Sequence, residues 1–296
     1  MLCLITLWGS SFVIVKATLK EGLRPTVIAT LRFLVAGGLF AAALALNKKR
    51  NMKYALLIER EDFPKLLLLG LAGVTFFFVV QYTGIALAGA SIAAILVCLL
   101  SPILISVFSA WIFKERLTRK NIFGIGIAAT GTFVVIAGGV LDIGGNQANF
   151  LTGSLMLLLT PLLWATYTVT GKRMIEKYDP FLIVAYANVL GGFCLVPFSL
   201  AEGSLREALT MNINEWSAIL YLAFACSLIG YSIWFYVLKQ VKASVTSSFM
   251  FAEPVITIIF AAVFQNEGIS VISAVGGLAI FAGVYLVTRT QQAHSP

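Results

Sequence analysis

Long apolar runs separated by short polar gaps organise the whole chain. Ten runs stand out, at 2–19, 26–46, 66–87, 91–113, 121–141, 151–171, 181–201, 216–238, 243–264 and 271–288. A helix rises about 1.5 Å per residue, so about 20 apolar residues carry it across a hydrocarbon layer of about 30 Å. Seven of the ten runs contain no Asp, Glu, Lys or Arg. Backbone amides find no water in lipid, and barrel strands would be about ten residues long with alternating polarity, which these runs lack. The gaps are short, from the tight Ala88-Gly89-Ala90 to the polar 47–62, and leave no room for a soluble domain. The pattern predicts an all-α membrane protein of ten transmembrane helices.

Composition agrees. The 296 residues are 59% hydrophobic and 11% charged, against about 45–50% and about 25% in soluble domains. That much apolar surface calls for lipid as solvent. The net charge of +8 does not mark a nucleic-acid partner, because the basic residues sit in the gaps rather than on one face. They read instead as topology signals. With the N-terminus inside, 16 basic residues flank the spans on the cytoplasmic side, and only Lys16, Lys20, Arg24 and Arg206, four in all, lie opposite. Retention of basic residues in the cytoplasm then predicts a multi-pass plasma (cytoplasmic) membrane protein with both termini inside. The first run, Met1 to Val15, has no basic lead or A-x-A site and reads as a span rather than a signal peptide.

Several chemistries drop out on residue type. The only histidine is His294, in the polar tail, and Cys3, Cys98, Cys194 and Cys226 lie in apolar runs without C-x-x-C spacing. Neither a His-activated nucleophile nor a zinc site is indicated. No cofactor, metal or catalytic residue is expected. Gly124-Ile-Gly126-Ile-Ala-Ala129 imitates a dinucleotide motif, but it lies inside an apolar run with no preceding strand.

The chain also repeats itself. Trp8 and Lys16 recur as Trp164 and Lys172, both shifted by 156; Ala90-Ser91 recurs as Ala243-Ser244. Pro102, Phe108, Glu115, Gly124 and Gly131 recur as Pro254, Phe260, Glu267, Gly276 and Gly283, at a shift of 152. Two five-helix units follow, 1–142 and 150–290, with a polar tail at 291–296. An odd number of spans per unit turns the second copy upside down relative to the first, which predicts inverted repeats around a site near the bilayer midplane.

Trp8-Gly9-Ser10-Ser11-Phe12 with Lys16 downstream, Leu31-Arg32-Phe33, Pro102…Lys114-Glu115-Arg116-Leu117-Thr118 and Glu253-Pro254…Glu267 together resemble the EamA-type members of the drug/metabolite transporter superfamily. The resemblance spans nearly the whole chain. It implies ten helices in two inverted repeats, a central cavity and alternating access, often in export of amino acids or other metabolites.

Three charged residues fall within the runs: Lys16, Arg32 and Glu253. A charge at the bilayer centre costs about 2.5–3.5 kcal/mol on insertion scales, so it usually faces a cavity or a partner. Glu253 is the deepest; it either exchanges a proton for a cationic group or forms a structural hydrogen bond. Arg32 and Lys16 lie nearer the ends of their runs, where a long side chain can reach the headgroups. Pro102 and Pro254 each remove a helix amide donor and mark paired helix breaks. Trp8, Ser11, Gln81, Tyr82, Ser101, Trp164, Tyr167, Tyr231, Trp234 and Ser248 are candidate lining residues, with Asn188 as the counterpart of Arg32. The expected function is a monomeric secondary transporter, exporting a small metabolite such as an amino acid, with protons as coupling ion. The alternatives are export of amphipathic or cationic drugs, a channel, or a membrane-embedded enzyme.

Overall fold

A computed structural model describes residues 1–50, 56–112, 119–142, 147–241, 243–266 and 269–293. Glu115, Glu267 and His294 lie outside these residues, as do Lys114, Arg116, Leu117 and Thr118. Among the described residues every regular element is helical. A helix that continues through a π or 3-10 turn is taken as one: α1 Leu2–Lys20, α2 Pro25–Arg50, α3 Arg60–Ala88, α4 Ala90–Ile112, α5 Arg119–Asp142, α6 Gln147–Lys177, α7 Pro180–Ala201, α8 Ile213–Gln240, α9 over 243–265 and α10 Val271–Ala293. Of these, α1 to α4 and α6 to α8 are seven helices long and apolar enough to cross a membrane. The other three hold shorter apolar stretches, Ile122–Gly138, Phe249–Gln265 and Val271–Gly283.

Local chemistry sets the boundaries. Asp179 accepts from the amides of Phe181 and Leu182 and precedes Pro180, so α7 starts on a capped first turn. Asn212 and Glu215 form a capping box at the start of α8. Between α3 and α4 the chain reverses at Gly89, whose φ of 91° a side chain would strain. The outer surface stays apolar, with Phe123, Phe133, Phe193 and Phe264 all exposed. In water such a surface would drive aggregation; in lipid it is solvated.

The packing follows a pattern. The most extensive contacts are α5 with α10, α3 with α6 and α2 with α7; α1 packs on α9 while α6 packs on α4. Where α5 meets α10, Gly131 lies against the Gly276 carbonyl and Gly283 against the Gly124 carbonyl. Two polar clusters join segments from the two halves of the chain, one linking the start of α2 to the stretch after α7 and the other linking the start of α3 to the end of α6. In the first, Arg24 pairs with Glu207 at 3.2 Å and Thr26 meets Ser204 at 3.1 Å. In the second, Asp62 accepts from Lys65 (2.6 Å), Lys177 (2.8 Å) and Tyr178 (2.8 Å).

Three expectations need correction. Arg32 does not reach the headgroups, being 2% exposed and hydrogen-bonded within the bundle. Lys16 turns inward as well, onto the carbonyls of Ile85 and Ala86, because a nearby helix end offers acceptors that the apolar route to the surface lacks. The paired breaks at Pro102 and Pro254 are also unequal. Helix α4 runs through Pro102 without interruption, whereas α9 takes a 3-10 turn over Phe249–Ala252 and restarts with Pro254 in its first turn.

Candidate functional site

Helical spacing places the site. On α1, Trp8, Ser11 and Phe12 fall on one face at i, i+3 and i+4; on α3, Gln81 follows Phe77 by four residues and Phe78 by three. These six, with Arg32 of α2, Val97 and Cys98 of α4, Trp164 of α6, Tyr231 of α8, and Met250 and Glu253 of α9, line a small cavity. Both halves of the chain contribute, α1 to α4 from the first and α6, α8 and α9 from the second.

The cavity carries two charged residues of opposite sign that are not paired with each other. Arg32 donates from Nε to Ser227 Oγ at 2.9 Å and from a terminal nitrogen to the Tyr82 hydroxyl at 2.6 Å. Its guanidinium lies 5.0 Å from the Phe33 ring centre and 4.6 Å from that of Phe78. No ion pair among the described residues involves it. Two of its five N–H groups are thereby used, and the aromatic faces stabilise the cation. Glu253 is 3% exposed and shares the cavity wall with Cys98, and its Oε2 has no hydrogen-bond partner among the described residues.

One wall is aromatic. Trp8 lies 5.4 Å from Trp164, 5.6 Å from Tyr231 and 5.6 Å from Trp234 between ring centres, and Tyr167 backs Trp164 at 5.2 Å. Such pairs add about 0.5–1.5 kcal/mol each beyond area burial, enough to hold the wall in shape. The wall is pinned to backbone where α3 and α8 pass through π segments, Leu71–Thr75 and Leu222–Ile229. Trp8 Nε1 donates to the Cys226 carbonyl at 3.0 Å, and the Tyr231 hydroxyl to the Gly73 carbonyl at 3.4 Å. A π turn widens the helix and frees carbonyls that a regular α-helix would occupy.

Of the predicted residues, Trp8, Ser11, Arg32, Gln81, Trp164, Tyr231 and Glu253 line the cavity. Tyr82, Tyr167 and Trp234 stand behind it as supports. Ser101 turns back to the Val97 carbonyl at 2.5 Å, and Asn188 donates to the Val184 carbonyl at 2.8 Å; neither lines the cavity. The side chain of Ser248 lies outside the described residues. Phe12, Phe77, Phe78, Val97, Cys98 and Met250 were not foreseen. Most lie three or four residues from a chosen polar position, as Met250 does from Glu253, so helical spacing was the signal available for them.

Comparison with known proteins places the chain. A crystal structure superposes with a TM-score of 0.67 at 20% identity, covering 99% of this chain and 96% of that one, a likeness of fold alone. An "Uncharacterized transporter" of Archaeoglobus fulgidus is 30% identical over 96% of this chain and 94% of its own length. A "Probable amino-acid metabolite efflux pump" of Salmonella typhimurium is 25% identical, covering 96% of this chain and 92% of its own. The profile of the EamA-like transporter family matches twice, over residues 1–137 and 151–289. The apolar helices, the buried cavity and these matches lead to one conclusion: the chain is a multi-pass membrane protein and belongs to the EamA-like transporter family.

Proposed function

We propose that this chain is a secondary transporter that exports a small zwitterionic metabolite, such as an amino acid, by alternating access. All ten helices cross the plasma membrane, with both termini in the cytoplasm, and the protein works as a monomer. Its halves, 1–142 and 150–290, are inverted repeats. The two separate matches to one family profile support this, as do the paired contacts. The Gly131–Gly276 contact maps onto Gly283–Gly124 when the halves are exchanged, and α1 on α9 maps onto α6 on α4.

The observation that carries the substrate class is the cavity's unpaired charges of opposite sign. A guanidinium with spare donors suits a carboxylate, and a buried carboxyl with a free oxygen suits an ammonium group. The aromatic wall between them suits an apolar side chain. A purely cationic drug would leave Arg32 facing like charge, so the zwitterion is favoured. Glu253 serves as the coupling group, binding a proton when the substrate has left.

Counterflow of labelled amino acids into proteoliposomes tests the reading. Glu253→Gln is expected to lower the rate by about tenfold or more and to flatten its pH dependence. Transport by this variant at the wild-type rate with the wild-type pH profile refutes the coupling role. Single-channel currents from the reconstituted protein would refute a carrier altogether.

A further inference from the structure

Lys16 and Lys172 occupy the same place in the two halves, and neither is used by the cavity. Lys16 Nζ, on α1, donates to the carbonyls of Ile85 and Ala86 at 3.2 and 3.4 Å. Both carbonyls belong to the last turn of α3, just before the reversal at Gly89. Lys172 Nζ, on α6, donates to the carbonyls of Leu238 and, at 3.0 Å, Val241, where α8 ends. The last carbonyls of a helix lack a continuing helix to donate to them and carry the negative end of its dipole; the Ile85 carbonyl shares its acceptor capacity between Lys16 and the capping Gly89 amide at 2.9 Å. Each lysine therefore closes the end of a helix that is not its own.

The helices joined in this way are the walls of the cavity. Helix α1 carries Trp8 and Ser11, and α3 carries Phe77 and Gln81; α6 carries Trp164, and α8 carries Tyr231. Lys16 lies near the end of α1 that follows the cavity residues and Lys172 near the corresponding end of α6, so in the inverted-repeat reading the two ties fall at opposite ends of the bundle. Both are formed in this structure, in which Cys98 on the cavity wall is only 1% exposed. A lysine on carbonyls is a bond that can be exchanged for water at a membrane surface, unlike the packed aromatic contacts deeper in the bundle.

We propose that Lys16 and Lys172 are paired latches, each holding the cavity shut towards one face of the membrane, so that release of one opens the site to that face alone. This rests on the inverted-repeat transporter reading for the meaning of the two faces, but the latches themselves can be tested without any known substrate.

The native Cys98 thiol serves as reporter. A membrane-impermeant maleimide is applied to the full chain in right-side-out or inside-out vesicles, and modification of Cys98 is followed by peptide mass spectrometry. Lys16→Gln is expected to speed labelling at least about fivefold from one face only, and Lys172→Gln from the opposite face only. Lys→Arg at either position, which keeps a donor, is expected to restore slow labelling. Equal acceleration from both faces, acceleration from the same face in both variants, or no change overturns the proposal. A merely structural cap predicts the first of these. Should the glutamine variants fail to accumulate, cysteine pairs at 16/86 and at 172/241 joined by a short bifunctional thiol reagent replace them. Each cross-link must block Cys98 labelling from a different face and release it on cleavage; unchanged labelling overturns the proposal. Failure of counterflow with normal side-specific labelling would refute the substrate reading and leave the latches standing.

Discussion

Arg32 shows how a single residue is made tolerable in hydrocarbon. Its charge is fully buried, yet it is held by Tyr82 and Ser227 and flanked by two aromatic faces, so desolvation is offset by hydrogen bonds and cation–π contact. Hydrogen bonds to charged groups contribute about 1.5–3 kcal/mol, so replacing the group that recognises a carboxylate raises KM by about tenfold or more. Arg32→Gln is therefore expected to weaken substrate affinity in counterflow assays while an uncharged analogue without a carboxylate is little affected. Tyr82→Phe removes one of the two supports and should give a smaller loss in the same direction. An Arg32→Gln protein with wild-type KM would remove the anionic end of the site.

At the scale of elements, the departures from regular α-helix gather around the cavity. The π segment of α3 brings Gly73 under the ring of Tyr167, where an added Cβ would lie 2.1 Å from a ring carbon. Gly73→Ala must push that ring, and the wall behind Trp164, out of place. Overpacking of this kind costs about 1–3 kcal/mol, which a lowered melting temperature of the detergent-solubilised protein would report. An unchanged melting temperature would mean the ring has room to move. In α9 the 3-10 turn before Glu253 and Pro254 sets the direction of the carboxyl, while Thr257 ties the turn to the Gly9 carbonyl of α1 at 2.9 Å. Pro254→Ala permits a regular α-helix there. The expected outcome is a folded protein, judged by gel filtration, with transport reduced by about tenfold, because a reactive group displaced by 1 Å already costs that much or more.

For the molecule as a whole, the proposed inverted arrangement makes a topological prediction. Lys48 and Arg206 are both exposed and fall on opposite sides of the proposed ten-span path. In intact cells, an impermeant thiol reagent should label a cysteine at 206 and spare one at 48; inside-out vesicles should reverse the result. Labelling of both from one side would overturn the orientation. One polar cluster joins the α1–α2 connection to the α7–α8 connection and the other joins the α6–α7 connection to the start of α3, so exchanging the halves maps one onto the other.

The helical class and the approximate limits of the helices were legible in the sequence, because in lipid every backbone polar group must be satisfied within its own segment and length alone decides the element. The three charged residues within apolar runs were legible for the same reason: against a uniform apolar background, Lys16, Arg32 and Glu253 stand out. What the sequence left open was direction. Whether Arg32 and Lys16 turned to the headgroups or inward depended on acceptors, Tyr82, Ser227 and the Ile85 carbonyl, at least 50 residues away in the chain. Likewise nothing local distinguished Ser101, folded back on its own helix, from Ser11 on the cavity wall. Helix rotation is set by packing against neighbours, a non-local sum over many contacts, and so only the tertiary structure could decide which faces enclose the site.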